Sequence, residues 1–168
     1  MKKIPIVVFG LNGVLYNLEK SAPYPDVKDA FTSISEANNI ILLVIGLGKP
    51  SYEIDKLNTC NVSRFLNGTM FSSGSLNELQ IVNGFQIMFS ASYNIVFVGD
   101  RQTITTLERL GPACTTVLIE RRATSLALKP TDAKPTYRIK TLTELEHFLR
   151  RMKFPFTERT VLDERNFL

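Results

Sequence analysis

Residues 4–16 read IPIVVFGLNGVLY, an apolar run from Ile4 to Phe9 that ends in a glycine-rich turn. Most of the run is β-branched and helix-like segments follow it, which is typical of a central parallel strand buried on both faces. Ligand sites in parallel α/β sheets lie beyond the carboxyl ends of such strands. Here that end carries Gly10 and Asn12, and neither side chain can act as a nucleophile.

Four further segments are predicted to be strands. Ile40–Ile45, Asn94–Gly99 and Thr115–Ile119 are short apolar runs, and Val62–Leu66 is a weaker candidate. Helices are predicted to begin at Asp26, Pro50 or Ser51, Ser75, after Asp100, and at Thr141. Strands that alternate with helices imply right-handed crossovers, so we expect an α/β fold of three layers, a Rossmann-like open parallel sheet with helices on both faces.

Apolar spacing indicates which helix faces turn inward. The first helix has Asp26 as its N-cap, and Thr141 and Glu144 suggest a capping box for the last. The second helix has Tyr52 and Leu57 as inward positions. The expected buried stripes are Val27, Ala30, Phe31 and Ile34 in the first helix, and Leu142, Leu145, Phe148, Leu149 and Met152 in the last.

Composition favours one domain, because 168 residues with 44% hydrophobic residues can bury one sizeable core. The net charge of +4 is uneven: residues 1–120 hold 9 Lys and Arg against 10 Asp and Glu, and residues 121–168 hold 11 against 6. A basic C-terminal segment suits nucleic acid or an acidic partner, and equally a solvated surface.

The two cysteines, Cys60 and Cys114, provide neither a disulfide framework nor metal-ligand spacing. This favours an intracellular, reducing compartment or simple buried thiols. No apolar run approaches membrane-spanning length, so no membrane association is expected.

Four segments, in the same order, resemble the haloacid dehalogenase-like (HAD) superfamily of phosphatases. GLNGVL at 10–15 is similar to its D-x-D-G-T/V-L pattern, and the end of the second strand follows. The third segment, similar to the fourth motif of the family, is FVGDRQT at 97–103 with LG at 110–111 and TTVLI at 115–119. The last segment is IKTLTEL at 139–145. The resemblance covers about residues 4–150 and implies five strands in the order 5-4-1-2-3. Few residues separate Gly13 from the helix at Asp26, and only a helix, a strand and a helix fit between Gly46 and Gly99, which leaves no room for the usual cap domains.

The resemblance also implies that the catalytic motifs are degenerate. The nucleophilic and the acid/base aspartates of active relatives fall on Gly10 and Asn12, and the hydroxyl after the second strand falls on Gly46. The phosphate-holding lysine should lie at about residues 65–98, where there is no Lys or Arg. Asp100 remains, with Ile104 where a second acidic residue is usual. One carboxylate makes a poor Mg²⁺ site, so we expect no metal or other cofactor and a neutral pocket.

Four residues remain as candidates for smaller roles. Lys49 and Ser51, at the start of the second helix, could hold an anion. Asp100 is interpreted as a helix cap in preference to a metal ligand. His147 falls opposite the apolar stripe and should face solvent.

The sequence divides into a HAD-like domain without a cap, residues 1–152, and a basic and apolar arm, residues 153–168. The arm and its junction provide candidate partner-binding residues: Arg151, Lys153, Phe154, Phe156 and Phe167. The leading hypothesis is a phosphatase-like protein that is catalytically inactive, is not an enzyme, and acts as a structural or protein-interaction component of a larger assembly. A divergent phosphatase or phosphotransfer enzyme is the alternative. Accessory nucleic-acid binding rests on the charge asymmetry alone.

Overall fold

The computed structural model describes residues 4–36, 40–71, 93–108, 115–121 and 134–152. Its elements, in chain order, are β1 (Ile4–Gly10), β2 (Tyr16–Asn17), β3 (Ala22–Pro23), α1 (Val27–Ser35), β4 (Ile41–Gly46), α2 (Pro50–Cys60), a 3-10 turn (Ser63–Phe65), β5 (Gly68–Phe71), β6 (Tyr93–Gly99), α3 (Arg101–Glu108), β7 (Thr115–Ile119), β8 (Tyr137–Ile139) and α4 (Thr143–Arg151). The helix predicted from Ser75 and the 153–168 arm lie outside the described residues. None of the described helices is long and apolar enough to cross a membrane.

The described strands form a parallel sheet of six in the order β5-β4-β1-β6-β7-β8, with β2 and β3 pairing separately as a short hairpin. Strand β1 is central and pairs with β4 and β6, so that Val7 lies between Leu42 and Val96. The predicted α/β class is therefore confirmed. The prediction of five strands is wrong in detail, because β8 adds a sixth beyond β7.

Each face of the sheet has its own apolar layer, because side chains alternate along β1. Val7 and Phe9 pack with residues of α1, α2 and α4. Ile6 and Val8 pack with Phe97 and with the α3 residues Ile104 and Leu107. The described helices thus cover both faces, as expected for a doubly wound sheet.

The strand predicted at Val62–Leu66 is wrong. Helix α2 ends at Asn61, whose φ of 54° turns the chain into the 3-10 segment. Pairing with β4 begins later, where the Asn67 N–H donates to the Leu42 carbonyl and the Asn67 Oδ1 accepts from the Leu42 N–H, both at 2.9 Å. Strand β5 follows these two bonds.

The predicted inward faces are partly confirmed. All four α1 residues are buried, as are Leu142, Leu145, Phe148 and Leu149 of the last stripe. The prediction that Met152 and Tyr52 face inward is wrong, because their exposed fractions are 41% and 62%, respectively. Turning Tyr52 outward brings Glu53 to the buried face of α2, together with Leu57 and Cys60.

The two predicted side-chain caps are also wrong. Asp26 is the N-cap residue of α1 but makes no capping bond, and the N-cap of α4 is Leu142 instead of Thr141. The Asp26 Oδ2 atom accepts from the Leu142 N–H and from Arg121 Nη1, each at 2.7 Å. A longer-range contact has therefore replaced local capping.

Candidate functional site

The candidate site lies at the carboxyl ends of β1, β4 and β6, where the turn after β1 meets α2 and α3. The Leu11 N–H donates to the Ile45 carbonyl at 3.0 Å, which fixes the turn to β4. The N–H groups of Leu15 and Tyr16 both donate to the Leu11 carbonyl at 3.0 Å. This wide turn leads directly into the β2–β3 hairpin.

Gly10 stands at the position of the missing nucleophile, and packing does not require a glycine there. A Cβ atom at Gly10 would lie 3.5 Å from Val14 Cγ2 and 3.8 Å from the Val98 carbonyl oxygen. Both distances are ordinary van der Waals contacts. The absence of a carboxylate at Gly10 is therefore a chemical difference that the fold does not impose.

Asn12 belongs to a polar cluster with two residues of α2, Glu53 and Lys56. The Asn12 amide nitrogen donates to Glu53 Oε2 at 3.2 Å. The Lys56 ammonium donates to Asn12 Oδ1 at 3.2 Å and to Glu53 Oε1 at 2.7 Å. This Asn12–Glu53–Lys56 cluster closes a ring of polar contacts between the turn and the helix.

The Glu53 carboxylate occupies space left open by two glycines. Glu53 is 1% exposed. A Cβ atom at Gly46 would lie 2.7 Å from its Oε2, and a Cβ atom at Gly48 would lie 2.5 Å from its Oε1. Gly46 is also the position where the resemblance places a phosphate-binding hydroxyl. A buried carboxylate has therefore taken the space beside that position.

The expected neutral pocket is wrong, since the site holds both a carboxylate and an ammonium. The ammonium belongs to Lys56 of α2, which lies before the 65–98 interval where the resemblance places the family's phosphate-holding lysine and where this chain has no Lys or Arg. A usable signal was present: Glu53, Leu57 and Cys60 have the i, i+4, i+7 spacing of one helix face. The predicted inward position of Tyr52 assigned Glu53 to the exposed face of α2 instead.

Asp100, the remaining motif carboxylate, caps α3. Its Oδ1 accepts from the Thr103 N–H at 2.9 Å. Its Oδ2 lies beside Gly13, where a Cβ atom would approach it to 3.0 Å and where φ is +77°. Ile104, at the position of the usual second acidic residue, is buried in the core.

The donor set does not fit the Mg²⁺ that the HAD resemblance implies. Asn12 Oδ1 and Glu53 Oε1 both face the Lys56 ammonium, and Asp100 Oδ1 is bonded to the start of α3. Across the described ranges, no three His, Cys, Asp or Glu side chains are grouped as metal ligands. Mg²⁺ requires near-octahedral oxygen coordination, and an ammonium at its prospective ligands opposes that.

Lys49 and Ser51 are exposed at the start of α2. The Lys49 ammonium lies 5.3 Å from the centre of the Tyr52 ring. The first turn of this helix also contains Glu53, which is itself an anion. Anion binding by Lys49 and Ser51 stays a prediction.

Cys60, His147 and Arg151 do not join the site. Cys60 is buried, and burial raises the pKa of its thiol to about 11, which makes it unreactive. His147 and Arg151 are exposed on α4. Lys153, Phe154, Phe156, Phe167 and Cys114 lie outside the described residues.

The sequence matches no protein-family model and no curated protein. Solved structures do match. A haloacid dehalogenase-like hydrolase from Burkholderia xenovorans is similar over 89% of this chain and 98% of its own, with 9% identity and a TM-score of 0.68. L-2-haloacid dehalogenase from Xanthobacter autotrophicus is similar over 88% and 98%, with 10% identity and a TM-score of 0.65.

A third match, the HAD-hydrolase YfnB from Bacillus subtilis, has 17% identity and a TM-score of 0.60. The similarity covers 76% of this chain and 56% of YfnB, so the chain spans little more than half of that relative. At these identities the likeness concerns the fold. The chain therefore has the fold of the haloacid dehalogenase-like hydrolases.

Proposed function

We propose that this chain is a HAD-like domain that does not catalyse phosphoryl transfer and serves as a structural or protein-interaction component of a larger assembly. The observation that carries this proposal is the buried Glu53 carboxylate beside Gly46. In the active enzymes that the sequence resembles, the hydroxyl at that position binds the phosphate of the substrate. A phosphate at that position would have to displace the Glu53 carboxylate and break its ion pair with the Lys56 ammonium at 2.7 Å, and breaking a buried ion pair is strongly unfavourable.

The chemistry at the end of β1 supports the same conclusion. Gly10 has no side chain with which to attack phosphorus, and the Asn12 amide cannot cycle a proton. General acid–base catalysis alone usually contributes about 10²- to 10⁴-fold in rate. The Asn12 side chain is instead bonded to Glu53 and Lys56.

Charge pairing in the C-terminal third favours a protein partner over nucleic acid. Arg121, Arg138 and Arg150 form ion pairs with Asp26, Glu120 and Glu146, respectively. Part of the positive charge in residues 121–168 is therefore neutralised within the domain. The large apolar residues of the 153–168 segment, including Phe154, Phe156 and Phe167, suit burial against a protein surface.

The experiment is turnover of an aryl phosphate with Mg²⁺ by the full chain. We expect no turnover by the unmodified protein. A Gly10→Asp, Asn12→Asp double variant restores the two motif carboxylates and should remain inactive while Glu53 fills the pocket. Gly10 has room for a Cβ atom, but the second change removes the Asn12 donor to Glu53, so thermal melting is measured alongside to confirm that the variant is folded. Gly10→Asn is the matched control for bulk without charge. Turnover by the unmodified protein that Asp100→Ala abolishes would overturn the proposal in favour of a divergent phosphatase.

A further inference from the structure

We propose that the Lys56 ammonium is the permanent counter-cation of this site and holds the turn after β1 in the role that a divalent metal has in active relatives. The domain is then complete without a metal. This inference concerns stability and cation binding, and it does not depend on whether the chain catalyses a reaction.

The burial of the pair explains why a fixed cation is needed. The Glu53 side chain is 2% exposed and the Lys56 side chain is 23% exposed. An uncompensated carboxylate at that depth is strongly destabilising, whereas one with a close ammonium and a second hydrogen bond is tolerated. Glu53 has both, from Lys56 at 2.7 Å and from Asn12 at 3.2 Å.

The surroundings of Lys56 are those of a bound cation. Its Nζ contacts the Glu53 carboxylate and the side-chain oxygen Oδ1 of Asn12, and lies 5.9 Å from the centre of the Tyr16 ring. The two oxygens and the ring face all favour positive charge. Asn12 and Tyr16 belong to the turn and the hairpin, so one ammonium joins both to α2.

Two glycines, Gly46 and Gly48, make this arrangement possible. Side chains at Gly46 or Gly48 would displace the Glu53 carboxylate, and without that carboxylate Lys56 would lose its charged partner. The glycines, the glutamate and the lysine therefore form one interdependent set. Mg²⁺ could therefore take Asn12 Oδ1 or Glu53 Oε1 as a ligand only by breaking a contact with the Lys56 ammonium.

The test is thermal melting of the full chain with and without Mg²⁺. Lys56→Met keeps the aliphatic stem and removes the charge, and Lys28→Met on the exposed face of α1 is the matched control. We expect the melting temperature of the unmodified protein to be the same in Mg²⁺ and in chelator. Lys56→Met should lower it by about 5–10 °C, whereas Lys28→Met should leave it nearly unchanged.

A second substitution separates charge balance from packing. If Lys56 balances Glu53, adding Glu53→Gln to Lys56→Met should restore most of the lost melting temperature, and Lys56→Arg should lose little. A Lys56→Met protein that fails to fold while the double variant folds leads to the same conclusion. The proposal is overturned if Mg²⁺ stabilises the unmodified protein, if Lys56→Met is neutral, or if the loss is as large with Glu53→Gln present.

Discussion

The glycines of the site are glycines for different physical reasons. Gly13 has a φ of +77°, which disfavours any other residue. Gly46 and Gly48 must lack a Cβ atom because Glu53 fills the space beside them. Gly10 meets neither condition. The lost hydroxyl and the buried carboxylate are thus coupled, whereas the lost nucleophile at Gly10 is independent of packing.

This coupling predicts that Gly48→Ala destabilises the protein only when Glu53 is present. The new Cβ atom would lie 2.5 Å from Glu53 Oε1 and 2.9 Å from its Cδ, so the carboxylate must move away from Lys56. We expect a loss of about 1–3 kcal/mol in the free energy of unfolding. Urea titration should show that loss in the Glu53 protein and little of it beside Glu53→Ala. Equal losses in both backgrounds would contradict the coupling, and Gly10→Ala is the control without a clash.

At the scale of elements, one arginine connects the loops that flank the sheet. Arg121, after β7, donates to the Val14 carbonyl from Nε at 3.2 Å and from Nη2 at 2.6 Å. It also pairs with Asp26, whose Oδ2 receives the Leu142 N–H. The turn after β1 and the starts of α1 and α4 are therefore held by one buried ion pair.

Arg121→Ala should lower the free energy of unfolding by about 3–5 kcal/mol, because it leaves the Asp26 carboxylate without its cation. Arg121→Lys should cost less, since it keeps the charge but loses the two bonds to Val14. Arg138→Ala is the control: its ion pair with Glu120 is exposed, and such pairs contribute about 1 kcal/mol or less. Denaturant unfolding measures all three, and a similar cost for Arg121→Ala and Arg138→Ala would refute the connecting role.

At the scale of the whole molecule, β1, β4, β6 and β7 could be located from the sequence because each is an apolar run bounded by turn residues, whereas their order in the sheet was implied by the family resemblance. Strand β8 was not counted, since three residues with Arg138 at their centre give almost no apolar signal. At the site, the motif frame located Gly10, Asn12, Gly46 and Asp100. Whether Glu53 and Lys56 face the site depends on the rotation of α2 about its axis. The apolar positions Tyr52 and Leu57 did not define that rotation, because only Leu57 is buried.

The composition of residues 153–168 predicts a partner-binding arm. A chain ending at Met152 should keep its melting temperature, because the described α4 stripe is complete at Leu149, and it should lose its partners in a pull-down from native extract. Replacing Phe154, Phe156 and Phe167 with serine in the full chain tests the apolar anchors without changing length. A large fall in melting temperature with partners retained would show that the segment packs on its own domain.

The central place of β1 has a consequence for the order of events during synthesis. Its register partners lie at Ile41–Ile45 on one side and Tyr93–Val98 on the other. Strand β1 is therefore made before both of its neighbours, and its second edge can be paired only after residues 93–98 have been made. Until then an apolar segment with free backbone groups is open to association with other chains. During translation, the β6-side edge of β1 therefore stays unpaired until residues 93–98 have been made.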